Sequence, residues 1–422
     1  MCWPAASPPR FCRRTCAGNG DAGLKGSPYH RNVRIVFLSQ EYPSVGTSGG
    51  IGSYISIIGP ALAARGHDVH VYVFADGHPS EGEDKGVHLH LRPLRPIRFL
   101  HDRKSLSITS LRIATARAAS QAMADIEPPD VIESPEWMSQ SLLLDGSLQN
   151  RTVVHLHTAI GLIARFSGHL GKDARLADLF ETRTIRRASA VTSPSQLLLD
   201  LERKRGNIRT STTRVIRMPI DLDRWETPAE STDEPVLLAV GRVEHRKGLD
   251  LLVRAVHALP DSLRDTKILA VGRSSGLVDG RPYREWLRSL AADKGVELEC
   301  RDQIPRSELP ALYRSARALV VPSRFDSFAM VALEALASGT PVICSSACGI
   351  AEMIRGSDAG SIVPPEDPEA LRDALIHYLE DSGFATQAGT RGRALAEAQA
   401  APDVIAAQRE ELFEQVAGTH AR

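Results

Sequence analysis

Three absences narrow the field before any motif is read. The 422 residues carry 51 Lys plus Arg against 51 Asp plus Glu, so the formal net charge is zero. Nothing therefore pulls the whole chain toward nucleic acid or a membrane surface. No apolar run approaches the roughly 18 residues that a membrane-spanning helix needs, and the first residues lack the apolar core of a secretory signal. Cysteine is sparse and scattered. Cys2, Cys12, Cys16, Cys300, Cys344 and Cys348 form no Cys-x-x-Cys array, so neither a zinc site nor a disulfide framework is expected. A reducing cytoplasm is the expected location.

What is present is ordinary soluble-domain material. The apolar fraction of 42% and charged fraction of 24% suit a globular chain, and the length suits two domains. Residues 1–32 show no periodicity and read as a disordered tail rich in Pro, Gly, Arg and Cys. A metal held by Cys12 and Cys16 is set there against an accidental pair.

Folded structure is expected from residue 33. A buried strand over 33–38 leads through a loop to Gly49, Gly50, Ile51 and Gly52. A helix then places Ile51, Ile55, Ile58 and Leu62 on one face, with Pro60 expected to kink it and Gly66 to close it. A second strand follows over 69–74. Gly50, Gly52 and Asp76 invite a dinucleotide (NAD) reading, but roughly ten residues separate strand from glycines where that motif allows almost none. The loop better suits covering a ligand, with helix N-terminal amides offered to an anion.

Residues 91–118 carry Arg92, Arg95, Arg98, Arg103, Lys104, Arg112 and Arg117. This basic flank suits peripheral contact with anionic lipid or an acidic acceptor, and a solvated face explains it equally well. A strand over 130–133 precedes Ser134, Pro135, Glu136 and Trp137. A strand over 152–157 would alternate His155 and His157 onto one face. No third ligand has metal-site spacing. His157 at the strand end is the site candidate, and His155 is expected to be packed.

The second half repeats the pattern. Strands are expected over 236–240, 267–271, 296–300, 318–321 and 341–344, with helices between them. Alternation of this kind means parallel sheets covered on both faces. The loop 241–248 carries Arg242 and Lys247, two cations able to hold a diphosphate and stabilise its charge as it leaves. The run 319–334 starts as a strand, breaks at Pro322 and Ser323, and continues as a helix with Asp326 and Ser327 at its N-cap. Eight helical steps would leave Asp326 and Glu334 about 80° apart around that helix, two acids beyond the carboxyl end of a strand, where ligands bind in open α/β sheets.

These pieces together resemble the retaining GT-B glycosyltransferases of family 4. The similarity spans about residues 33–395. It is carried by Gly49-Gly50-Ile51-Gly52, Asp130-Val131-Ile132-Glu133, Leu156-His157-Thr158, Pro219-Ile220-Asp221, Gly241-Arg242, Lys247-Gly248, Pro322-Ser323 and Ala337-Ser338-Gly339-Thr340-Pro341.

The resemblance implies an α/β GT-B fold, two doubly wound Rossmann-like domains facing across a cleft. The tail would be 1–32, the acceptor-side domain 33–220, the nucleotide-sugar domain 221–400, and 401–422 a helix packing back toward the first. Arg242 and Lys247 would bind the donor diphosphate. Glu334 would hold the ribose hydroxyls as the second acid of a Glu-x7-Glu motif, and Asp326, standing where its first Glu belongs, would reach the donor sugar. The amides of Phe328, Ala329 and Met330 would face phosphate or sugar, and His157 would lie near the reacting carbon. The nucleobase would lie near Arg301 and Ile304. The acceptor, whether glycan, lipid-linked or small-molecule, would enter past Glu136, His157 and the glycine loop Gly49, Gly50 and Gly52. No cofactor, divalent metal or nucleic acid is implied, and a peripheral position at the inner membrane face is compatible with it.

Asp326 is one methylene shorter than Glu, and Ala329 replaces a common glycine. Both motivate a rival reading as a non-catalytic sugar-nucleotide-binding partner subunit. An NAD-dependent oxidoreductase and a sugar-nucleotide epimerase are the others.

Overall fold

The computed structural model describes residues 32–45, 49–95, 106–167, 171–226 and 236–419. Most of the tail 1–32, and Arg98, Arg103 and Lys104 of the basic flank, lie outside the described residues.

Two parallel sheets organise the molecule. The first holds β1 (Arg34–Ser39), β2 (Asp68–Ala75), β3 (Ser80–Asp84), β4 (Val87–Pro93), β5 (Val131–Pro135), β6 (Thr152–His155), β7 (Ala190–Ser193) and β8 (Thr213–Val215). Their order is β3-β4-β2-β1-β5-β6-β7-β8, parallel throughout except for the β3–β4 hairpin. The second half contributes β9 (Val236–Val240), β10 (Lys267–Val271), a small ribbon of β11 (Leu277–Val278) and β12 (Arg281–Pro282), then β13 (Leu298–Arg301), β14 (Ala318–Val321), β15 (Val342–Ser345) and β16 (Gly360–Val363). Apart from the ribbon these form one parallel sheet, ordered β13-β10-β9-β14-β15-β16. The expected α/β, doubly wound fold class is what the chain adopts.

The helices that matter for the site are α1 (Gly50–Ala64), α2 (Ser107–Ala124), α3 (Lys172–Arg187), α4 (Gln196–Lys204), α5 (Leu249–His257), α6 (Met330–Ala337) and α7 (Pro402–Gly418). Why β1 forms a central strand follows from its composition. A parallel strand covered on both faces reads as a near-continuous apolar run. Ile35 and Phe37 pack with Ile58 and Leu62 of α1 and Phe413 of α7, while Val36 and Leu38 face Ala119 and Met123 of α2. Each such fully buried side chain stabilises the fold by about 1.5–3 kcal/mol.

Helix α7 closes the chain against the first sheet. Ile405, Ala406, Leu412, Phe413 and Val416 are buried in a cluster shared with β1 and with α6. Glu410 of α7 accepts from Arg65 Nε (2.9 Å) and pairs with His67 Nε2 (3.0 Å) just beyond α1.

Three expectations are corrected. The strand containing the two histidines ends at His155, so His157 lies in the following turn and not on the strand face. The basic flank is not a uniform surface: Arg112 is buried, bonded through Nε to Glu181 of α3 (3.1 Å), and Arg92 pairs with Glu81 (2.8 Å). Asp326 and Glu334 do not share a helix, because α6 begins only at Met330 and Ala329 before it is left-handed (φ 70°).

Candidate active site

The carboxyl ends of both sheets face a common cleft of about 340 Å³. Glu41 follows β1, Trp137 follows β5, and His157 and Thr158 follow β6. From the second sheet come Arg242 after β9 and Asp326 to Met330 after β14; all of these line the cleft with Gly50 and Ile51 of α1. Strand ends supply the cleft because parallel strands release their loops at the same edge.

Asp326 is held rigidly. Its amide donates to Ala347 O (3.0 Å) and its carbonyl accepts from Gly349 N (3.0 Å). Carboxylate Oδ1 accepts from Ala329 N (2.9 Å) and more weakly from Phe328 N (3.3 Å), and Oδ2 pairs with Lys247 Nζ. Asp326 therefore caps the turn before α6, not α6 itself. Two of the three amides expected to face a ligand are occupied by this carboxylate, and the third, Met330 N, lies at the open helix end. Burial alone would raise the Asp326 pKa, but the Lys247 and Arg246 charges outweigh it and hold it below the usual carboxylate range.

Lys247 reaches Asp326 because of a glycine. Gly248 is left-handed (φ 69°), and a Cβ there would stand 2.0 Å from Pro322 O. Only glycine lets the β9 loop lie flat on the end of β14. Arg242, Lys247, Pro322 and Ser323 line a narrow pocket at this junction. Arg242 is an open cation, its side chain 56% exposed and, among the described residues, paired only distantly with Glu244 (3.9 Å).

On the opposite wall, His157 is presented by Glu136. The Glu136 carboxylate is buried and accepts from His157 N (2.9 Å) and Thr158 N (2.6 Å). The Glu136 carboxylate thus turns inward and pins the turn carrying His157, and its neighbour Trp137 lines the cleft. Burial pushes the Glu136 carboxyl up to about 8, with Glu181 and Glu202 adding repulsion and the His157 amide opposing it. His157 goes the other way. Burial, then the nearby Arg409 charge, lowers it to about 3, so its ring is neutral at any working pH. His155 is fully buried beneath it.

The glycine loop is corrected in one respect. The N-terminus of α1 is already occupied by a side chain, since Glu41 Oε2 accepts from Gly52 N (3.2 Å). Gly50 lines the cleft, while a Cβ on Gly49 or Gly52 would meet Glu41, at 2.3 Å from its carboxylate and 2.8 Å from its Cβ respectively.

Glu334 lies outside the lining of this cleft. It is buried, and accepts from Arg306 Nη2 (2.8 Å) and Tyr313 OH (3.0 Å). Arg306 also donates to Ser53 of α1 (2.6 Å), so the pair ties the two sheets together. Burial raises the Glu334 pKa, against Arg306. Arg301 sits at the edge strand paired with Glu299 (2.6 Å), and Ile304 packs half-buried on the main core. The two sheets also touch where Ser195 Oγ donates to Ser327 O (2.7 Å) and where Glu352 accepts from Gln196 N and Leu197 N at the start of α4 (2.8 and 2.7 Å).

Sequence reasoning missed Glu41 and Arg409. Glu41 stands two residues beyond the end of β1, a position that itself flags a ligand-side residue. Arg409 lies among Ile405, Ala406, Leu412 and Phe413 at helical spacing, so it falls on the apolar stripe, where a charge demands a buried partner.

The chain is similar to known proteins in sequence and in fold. A family model described as Glycosyltransferase Family 4 matches residues 48–224, and one described as Glycosyl transferases group 1 matches 223–395. The chain is 27% identical over 383 residues to glycogen synthase of Mycobacterium tuberculosis, covering 86% of this chain and 89% of that one. It is 30% identical over 381 residues to D-inositol 3-phosphate glycosyltransferase of Corynebacterium jeikeium, covering 83% and 89%. Its fold matches the crystal structure of Anabaena HepE in complex with UDP-glucose with a TM-score of 0.67 at 18% identity, covering 90% of this chain and 100% of that one.

Proposed function

The chain belongs to the group 1 glycosyl transferases and is a glycosyltransferase on the GT-B fold, and on that premise we propose that it moves a sugar from a nucleotide-diphosphate donor to an acceptor hydroxyl with retention at the anomeric carbon. The observation that carries this reading is the convergence of Arg242, the Lys247–Asp326 pair and neutral His157 on one cleft between the sheets.

Each group has a task there. The departing diphosphate gathers negative charge, and stabilising charge that develops in the transition state is what lowers the barrier. Arg242 is exposed and ready for it. Lys247 turns from Asp326 to the phosphate when donor arrives, and Asp326, kept ionised, is then free to accept from sugar hydroxyls. The anomeric carbon meanwhile gains oxocarbenium character. A neutral His157 can hydrogen-bond the sugar without adding a positive charge beside it. Cations of the chain supply the charge compensation, so no divalent metal is needed. The acceptor approaches from the Trp137 and α1 side, and the Asp326-x7-Glu334 spacing supports the retaining class. Relatives named for glycogen and for an inositol phosphate support a hydroxyl acceptor, and the cytoplasm is the compartment where both substrates would meet the enzyme.

The test is a thermal-shift titration against UDP, GDP, ADP and their sugars in EDTA, followed by transfer assays and product NMR. A ligand bound at a hundredfold excess over its Kd stabilises the native state by about 2.7 kcal/mol. A shift with one nucleoside diphosphate, and an α-linked product from an α-linked donor, are expected. No shift and no donor turnover in any case would overturn the donor assignment, and an inverted product would overturn retention.

A further inference from the structure

The last helix of the chain carries a charge into the floor of the cleft. Arg409 of α7 is fully buried. Its Nη1 donates to Glu133 Oε2 of β5 (2.6 Å) and to Thr192 Oγ1 of β7 (3.0 Å), and its Nη2 approaches His155 Nδ1 of β6 (3.0 Å). The guanidinium stands 5.2 Å from the ring centroid of Tyr54 on α1, whose hydroxyl donates to the other Glu133 oxygen (2.6 Å). One side chain thus joins three adjacent strands to the glycine-loop helix.

The hydrogen-bond roles follow from the chemistry. A guanidinium only donates, so His155 Nδ1 accepts and its ring proton sits on Nε2. The rings of His155, His157 and Tyr54 then pack on one another, with centroids 4.7 Å apart for the two histidines and 5.9 Å for Tyr54 and His157. His157 is the one that emerges into the cleft.

We propose that Arg409 is a positioning residue of the transfer reaction, fixing Tyr54 and His155 beneath His157 and holding a cation under the cleft imidazole. The inference rests on the function proposed above, which gives His157 its place beside the reacting carbon. It makes the C-terminal helix part of the active-site machinery although no residue of α7 lines the cleft. The charged and titratable groups around His157 are consistent with that role. Arg409, Glu133, Tyr54 and His155 lie beneath it, Glu136 holds its backbone amide, Glu41 lines the cleft from the same sheet, and Arg242 and Asp326 line it from the other.

The experiment is an NMR titration of histidine-labelled full-length protein, with His157 assigned through H157N, run beside pH profiles of kcat/KM. Wild type should keep His157 neutral down to the acid limit of folding, with a flat profile between pH 5.5 and 8. R409M removes the cation, leaves Glu133 behind and leaves burial in place, so His157 should titrate above its wild-type value and kcat/KM should fall toward pH 5.5 where the wild-type profile is flat. R409K, which restores the charge, should return the profile toward wild type. Where R409M does not fold, R409M/E133Q replaces the pair by neutral groups, a change that buried ion pairs often tolerate, and its His157 should still titrate above the wild-type value. A folded R409M or R409M/E133Q with wild-type His157 titration and a flat profile overturns the proposal. The ring titration needs no substrate, so a wild-type protein that turns over no donor would sink the function reading alone.

Discussion

Lys247 has two candidate employers, Asp326 in the donor-free protein and the diphosphate in the reaction, and a substitution can separate them. Lys247→Met deletes the cation and keeps the stem. It leaves the Asp326 carboxylate only 11% exposed, with two backbone amides and the charge of Arg246 in place of its ion pair. Breaking a buried pair from one side costs roughly 3–5 kcal/mol. Lys247 is itself 18% exposed and Asp326 retains its amides, so the lower end, about 3 kcal/mol, is expected at pH 7.5.

The loss should depend on pH with a definite sign. In wild type the Asp326 pKa is lowered on folding, so its contribution is present above the unfolded value near 3.8 and fades as pH falls. In Lys247→Met the Lys247 charge and bond are lost while Arg246 and the Phe328 amide still act against burial, so the Asp326 pKa stands above its wild-type value and its ionisation supports folding less. The two proteins should therefore converge in stability toward pH 4 and diverge toward pH 7.5. Urea midpoints at both values measure this. Activity decides the second role. Removing one transition-state charge stabiliser typically costs 10²–10³ in kcat. Lys247→Met/Asp326→Asn should regain stability yet stay inactive. Equal midpoints at pH 7.5 would refute the buried-pair argument, and recovery of turnover in the double variant would show that Lys247 serves Asp326 alone.

Two further outcomes are expected. Gly248→Ala adds a Cβ to a left-handed residue 2.0 Å from Pro322 O, so it should cost about 2 kcal/mol or more and lower turnover by moving Lys247, read from urea melts and kcat. Glu136 has its pKa raised on folding to about 8, so the native state binds more protons than the unfolded one between the ordinary value of 4.5 and that point. Stability should fall as pH rises through this window, and Glu136→Gln should flatten that slope in urea midpoints taken from pH 5 to 8.5; an unchanged slope would place the titration elsewhere.

Much of the frame was legible because parallel strands are apolar throughout. The strands β1, β2, β5, β9, β10, β14 and β15 all fall within about two residues of runs visible in the sequence, a typical error for element ends. The hairpin β3–β4 was not legible. Its residues, with Ser80, Glu81, Glu83, His88 and His90, offer no apolar run, and it forms because the edge of β2 is available to pair. The site divides in the same way. Arg242, Asp326 and His157 could be placed by their position just beyond strand ends. Glu136 could not, because nothing local says that its carboxylate turns inward to hold the His157 turn.

The sequence by itself determined the doubly wound α/β class, the two strand-to-loop junctions that carry cations and acids, and the family. These are local properties of run length, period and loop position. Only the tertiary structure decided who partners whom. Lys247 neutralises Asp326, Glu41 accepts from the Gly52 amide of α1, Glu334 belongs to Arg306 and Tyr313, and Arg409, more than 250 residues from His155, sets the charge beneath the cleft. Charges in water interact weakly and over many partners, but once packing has removed the water a buried charge must find a particular neighbour. That neighbour is chosen by the fold and not by distance along the chain.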